Sequence, residues 1–485
     1  MPTPQTSAAP ESGILTAADR ERFWRFGVVV ALYLGVVYLL PHPAEVTDQG
    51  WRMFAIFISV IVGMILEPIP DAAVVLLGVT AFVAVGVPMR EALGGFAEGS
   101  VWMVLAAMLM ARVLMATGLA RRIALLFVRA FGGRSLGIGY SLVLSDVTLA
   151  GGVPSNTARS AGMVMPIGRS IAELYQSTPG PSAKLLGTYL MATMYQGDVV
   201  ACSMFITGQA SNLLAAGLAA KLAGVEVTWL GWFMAAVVPG SLSLIAVPYV
   251  VYRLLPPVIT HTPAATEFAD RELEKMGRPG RAERWALAVF VGTGLLWITS
   301  GWTHIDITLS AFLALAVLLV TGTLRWEDAL AEHKAWHVFV WYGGLLKMGE
   351  LLNGTGVTKV FAVSVGGLFT GIPWFTVLIA VLVIYYYTHY AFASITAHIL
   401  AMFPPFVALL IGLGAPPKLA VFSLLCLANL PAGLTHYGTT PAPILFSQGY
   451  VSLKDWWRVG FVLSLVNLTI WLTVGFAWWK ALGFW

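Results

Sequence analysis

Three observations predict an all-α polytopic membrane protein. Of the 485 residues, 58% are hydrophobic and 11% charged, against a charged share of about 25% in a soluble domain. Apolar runs of about 20 residues, the length that crosses the hydrocarbon core, recur along the whole chain. Runs such as VWMVLAAMLMARVLMATGL and WALAVFVGTGLLWI are continuous rather than alternating, which excludes a spanning barrel. Mean hydropathy is +0.81. In this setting a net charge of +4 and a pI near 9.0 set topology and give no reason to expect a nucleic-acid partner.

Taken in order, residues 1–22 form a polar tail whose Glu11, Asp19 and Glu21 argue against an organelle transit peptide. Arg20, Arg22 and Arg25 precede a first span from about Trp24 to Leu40, and the positive-inside rule puts the N-terminus in the cytoplasm of an inner-membrane, multi-pass protein. No small-residue cleavage site follows, so the run reads as an anchor. The first transmembrane half covers 23–252 and ends at a polar cytoplasmic linker, 253–284, with six basic and five acidic residues. The second half covers 285–485. Roughly six spans or part-spans precede the linker and about five follow, about 11 in all, which leaves the C-terminus outside. Cys202 and Cys426 lie in apolar segments and form no disulfide framework or metal site by spacing. Neither a cofactor nor a metal is expected.

Two interrupted segments match each other. LAGGVPSNTARSAGMVMPI, Leu149 to Ile167, and YAFASITAHILAMFPPF, Tyr390 to Phe406, share Ser-x-Thr-Ala, then a basic residue, then a proline. Each is followed by a second polar break, FITGQASNLL at 205–214 and THYGTTPAPIL at 435–445. Paired breaks in two halves point to a secondary transporter's binding site between inverted repeats. Irregular backbone at membrane depth survives only inside protein or beside a watery cavity. Ser155, Asn156, Thr157, Ser394 and Thr396 offer polar groups there, and the helix after each loop presents unpaired N–H groups. Two facing helix starts make an anion clamp, and a dicarboxylate has two ends to hold.

Arg159 and His398 stand at matching places in the first turn after each loop, where the helix dipole disfavours a cation by about 0.3–1 kcal/mol. Something negative must compensate them. For Arg159 the alternatives are snorkelling or pairing with Asp146 or Glu173; for His398 the alternative is a neutral, hydrogen-bonded core histidine. Asp198 and Glu350 are each either functional charges or partners of a nearby base such as Lys347. The repeated Thr-His-Tyr strings at 388–390 and 435–437 read as structural hydrogen bonding.

These motifs resemble the divalent anion/sodium symporter family over nearly the whole chain. The resemblance rests on SNT at 155–157, the second tip at 394–396, the breaks at 208–212 and 438–443, and GYVSLKDWWRVGF near the C-terminus. It implies two re-entrant helical hairpins whose tips hold substrate carboxylates, a homodimer and elevator-type movement. Thr439 matches the family's second substrate-side threonine, and Gln209 falls where symporters often have serine. Where sodium-coupled members carry SNT at both tips, this chain has SIT, so Ile395 removes an amide ligand for sodium. The chain looks more like the exchanger branch, with 2-oxoglutarate/malate translocators and citrate or tartrate/succinate antiporters.

In that branch Arg159 and His398 imply immobile charge compensation. A fixed cation stays when the substrate leaves, so the empty carrier keeps buried charge and returns only when loaded. The expected function is sodium-independent exchange of succinate, malate, 2-oxoglutarate, tartrate or citrate. A sodium- or proton-coupled symporter of the same di- or tricarboxylates is the alternative. A membrane-embedded enzyme is the remote one, since no HExxH, Ser-His-acid or nucleotide-loop pattern is present.

Overall fold

The computed structural model describes residues 17–357, 360, 367–369 and 371–485. Residues 1–16 of the expected tail lie outside the described residues, and helix begins at Ala17. In lipid a helix satisfies its own backbone, so the apolar runs fold as helices. Among the described residues, eight helices are long and apolar enough to cross a membrane, and Asp71–Ala84, Ser135–Ala150, Ala210–Ala223 and Ile307–Val320 are shorter apolar ones. The described residues contain no strand, only an isolated bridge between Arg134 and His261.

The same order of elements occurs twice. The first half has Asp48–Leu66, Asp71–Ala84 and Gly99–Ala116, then a hairpin descending through Ser135–Ala150 and returning through Thr157–Val164 and Met165–Leu174. A broken span, Gly187–Met204 and Ala210–Ala223, and a closing helix, Trp229–Leu254, complete it. The second half has Arg281–Thr303, Ile307–Val320 and His333–Asn353, a hairpin of Trp374–Thr388 and Ile395–Gly412, a broken span of Pro417–Leu427 and Pro441–Phe446, and a closing run Leu453–Ala481. These are inverted repeats with two re-entrant hairpins.

Local chemistry explains how the breaks and bends are tolerated. Pro239 lacks the N–H that would bond the Ala235 carbonyl, and Trp479 Nε1 donates to that carbonyl instead at 2.9 Å. Trp471 Nε1 donates to Ser243 Oγ at 3.1 Å, so the two closing helices are joined along their length. The linker is ordered: Pro263–Met276 is a helix pinned to Leu119–Phe131 by Arg121–Glu272 at 2.5 Å and Arg129–Asp270 at 4.0 Å, while Arg122 holds Glu283. Glu350 is the partner of nearby bases, bonded to Lys347 at 3.0 Å and to Lys221.

Elements from opposite halves cross at the centre. Ala210–Ala223, after the first break, packs on Ile395–Gly412, after the second tip; Pro441–Phe446, after the second break, packs on the turn after the first tip. Asn429 Nδ2 donates to Asn212 Oδ1 at 2.9 Å, and Asn212 Nδ2 donates to the Cys202 and Phe205 carbonyls. Tyr195 Oη and Gln196 Nε2 donate to the carbonyls of Ala432 and Gly433. Carbonyls freed by the second break are thus satisfied by side chains of the first broken span.

Candidate functional site

Both tips are capped the same way. Ser155 Oγ accepts from Ala158 N at 3.2 Å and Ser394 Oγ from Ala397 N at 3.4 Å. A hydroxyl that accepts through its oxygen keeps its own proton, so each capping serine can still donate to a ligand. Asn156 uses both ends of its amide: Oδ1 accepts from Thr157 N at 2.9 Å, and Nδ2 donates to Thr439 Oγ1 at 3.0 Å. That bond ties the first tip to the second break across 283 positions of sequence. Ser155, Thr157, Ser394 and Thr396 are half-buried, whereas Ile395, at the place of Asn156, is 1% exposed and carries no polar atom to the site.

After the first tip the backbone is a π-helix, Thr157–Val164, a wide turn that recurs at functional sites. Its Arg159 is completely buried, and each of its five N–H groups has an acceptor. Nε donates to Asp146 Oδ1 at 3.1 Å; Nη2 donates to Asp198 Oδ1 and Cys202 Sγ, both at 3.2 Å; Nη1 donates to the carbonyls of Val153 at 2.7 Å and Gly208 at 2.6 Å. The expectation of a guanidinium left to meet the substrate's charge is therefore corrected: two carboxylates already face it, and the pairing with Asp146 considered from sequence is present. Glu173 pairs instead with Arg169. The same bonds strap the first tip, through Val153, to the first break, through Gly208.

His398 has a different neighbourhood. Its ring lies 4.5 Å from Tyr385, 4.9 Å from His389 and 5.1 Å from Phe392, centroid to centroid, and no carboxylate bonds to it among the described residues. Thr388 Oγ1 donates to the Tyr385 carbonyl at 3.0 Å, so at 3.2 Å it accepts from His398 Nε2. His389 Nε2 donates to the Gly438 carbonyl at 2.8 Å, and the Nδ1 atoms of both histidines are buried without a partner. The Thr-His-Tyr strings pack on one another, with Tyr437 Oη donating to the Tyr390 carbonyl at 2.9 Å.

A cavity of about 410 Å³ opens beside the first tip, with Ser155, Thr157 and Ala158 on one wall and Met115, Glu332 and Lys334 on the other. It shares Met115 and Gly162 with a cavity of about 550 Å³ bordered by Thr117, Arg121 and Ser170. Ser394 and Thr396 are not among its walls. Gln209 begins Ala210–Ala223 beside Gly208, with its Oε1 buried and unpartnered. Sequence reading placed Asp198, the tips and the hydrogen-bonding Thr-His-Tyr strings but missed the Asn212–Asn429 pair and the bond from Arg159 to Cys202. A polar residue in an apolar run is visible in sequence, but its partner in another helix is not.

A family model described as the sodium:sulfate symporter transmembrane region matches residues 20–485. Dicarboxylate transporter 1, chloroplastic, of Arabidopsis thaliana is 40% identical over 456 residues, covering 93% of this chain and 82% of the relative. The L-tartrate/succinate antiporter of Escherichia coli (strain K12) is 33% identical over 478 residues, covering 94% and 98%. The structure of Neisseria gonorrhoeae MtrF shares the fold, with a TM-score of 0.56 at 13% identity over 92% of this chain and 97% of that one. The chain belongs to the family matched by that model, the divalent anion/sodium symporter family of membrane transporters, which are not enzymes.

Proposed function

We propose that this protein exchanges small dicarboxylates across the membrane, one carboxylate held at each hairpin tip, without sodium. The observation that carries this reading is the bond from Asn156 Nδ2 to Thr439 Oγ1. It joins the tip of one half to the break of the other beside the half-buried hydroxyls of Ser155 and Thr157. Ser394, Thr396 and Gln209 complete the proposed substrate contacts. Exchange is favoured by the antiporter among the relatives. Ile395 argues against a sodium ligand at the second tip.

Of the two basic residues, we assign Arg159 to holding the first tip and break in register, and the counter-charge to His398. Its free Nδ1 is the atom that takes a proton when a dianion lies nearby. The hairpins and broken spans move together in an elevator-type step within a homodimer, as the family resemblance implies. Arg20, Arg22 and Arg25 set the N-terminus on the cytoplasmic side of an inner membrane, with the 253–284 linker on the same side.

The test is counterflow in proteoliposomes. Labelled external succinate should accumulate only when unlabelled dicarboxylate is inside, equally with and without sodium. Sodium-driven net uptake into empty vesicles would instead establish the symporter reading.

A further inference from the structure

We propose that Asp146 and Asp198 share one proton, so that the buried cluster around Arg159 is neutral. The Arg159 guanidinium reaches only the Oδ1 atom of each carboxyl, and its remaining N–H groups go to Cys202 Sγ and the carbonyls of Val153 and Gly208. Asp146 Oδ2 and Asp198 Oδ2 are both buried and neither finds a donor. Asp146 is 2% exposed and Asp198 0%. The two carboxyl groups nonetheless sit on the same guanidinium, one at Nε and one at Nη2. Two buried carboxyls on one guanidinium, each with an oxygen that lacks a donor, are short of one hydrogen.

The charge balance points the same way. Two carboxylates around one guanidinium leave one net negative charge in a place that water does not reach, and an uncompensated buried charge is among the costliest arrangements in a protein. The other ionisable groups facing the pair are Cys202 and Tyr195, on the same helix as Asp198. Tyr195 already donates to the Ala432 carbonyl at 2.5 Å. Neither brings positive charge. A single proton, taken from water as the cluster closes and held by the carboxyl pair, balances the charge. This is the behaviour of two carboxyls forced together in one site.

This proton site concerns the first half alone, and its test does not depend on transport. The infrared spectrum of the purified full-length protein at neutral pH should contain the C=O stretch of a protonated carboxylic acid. Labelling aspartate with ¹³C should shift that band, which assigns it to aspartate rather than glutamate. Asp146→Asn and Asp198→Asn should each abolish it, because the remaining carboxylate then forms a one-to-one ion pair with Arg159. Either variant suffices if the other does not fold, and the labelled wild type needs neither. Absence of the band in the wild type, failure of the aspartate label to shift it, or its persistence in a folded variant would overturn the proposal.

Discussion

In the first half, a guanidinium fills the space between tip and break, with two carboxyls around it; in the second, the corresponding space holds two imidazoles and a tyrosine. The frames match closely. Arg159 N bonds the Ser155 carbonyl at 3.1 Å, and His398 N bonds the Ser394 carbonyl at 3.1 Å. Asp146 stands 13 residues before Arg159, and Tyr385 stands the same distance before His398. The Gly208 carbonyl accepts from Arg159, whereas the Gly438 carbonyl accepts from His389. A shared backbone therefore carries two different electrostatic designs. One base is locked by acids into a strut, and the other is left with an unpartnered ring nitrogen.

The largest expected effect tests the strut. Arg159→Ala leaves two buried carboxyls without their cation and should cost about 3–5 kcal/mol, read as thermal unfolding of the purified protein. Arg159→Lys should recover only part, because an ammonium cannot reach five acceptors in a plane. His398→Gln, which breaks no ion pair, should stay within about 1–2 kcal/mol of the wild type. Equal losses at both positions would mean that the halves are balanced alike.

A second pair of variants probes the shared frame. A Cβ at Gly208 would meet the Cys202 carbonyl oxygen at 2.6 Å, and one at Gly438 would meet the Ala432 carbonyl oxygen at 2.5 Å. Gly208→Ala and Gly438→Ala should therefore lose similar stability, roughly 1–3 kcal/mol each. A large difference between them would show that the breaks are not equivalent. The smallest effect belongs to the bond between halves. Asn156→Ala and Thr439→Val should each cost about 1 kcal/mol, and the double variant should cost measurably less than their sum. Strict additivity would mean that the bond contributes nothing.

Much of this frame was legible in the sequence. Glycine, proline and hydroxyl residues interrupt otherwise apolar runs twice in the same order, and lipid permits such interruptions only around a site. The tips, both breaks and the matching of Arg159 with His398 followed from that pattern, and Thr439 from the family resemblance. What fills the space around each base did not. Asp146 appeared as one of two acids within reach of Arg159, and only the fold selects it together with Asp198, which comes from a different helix. His389 read as a structural hydrogen-bonding residue of a repeated string, but its partner, the Gly438 carbonyl, is 49 residues away and was not legible. Nor does the sequence show that the linker is a helix strapped to Leu119–Phe131 by ion pairs, since its acidic and basic residues read equally well as solvated charge.

The difference between the two bases is tested most directly by the pH profile of succinate counterflow. It should be measured where both substrate carboxylates are ionised, in the wild type and in His398→Gln. Tyr385, Thr388, His389 and Phe392 surround His398 with no acid bonded to it among the described residues, so the proposed protonated form requires a dianion nearby. Wild-type exchange should fall as pH rises, and the residual exchange of the variant should lose that dependence. A wild-type profile flat with pH, or a variant that keeps the wild-type profile, would contradict the assignment of the counter-charge to the second half.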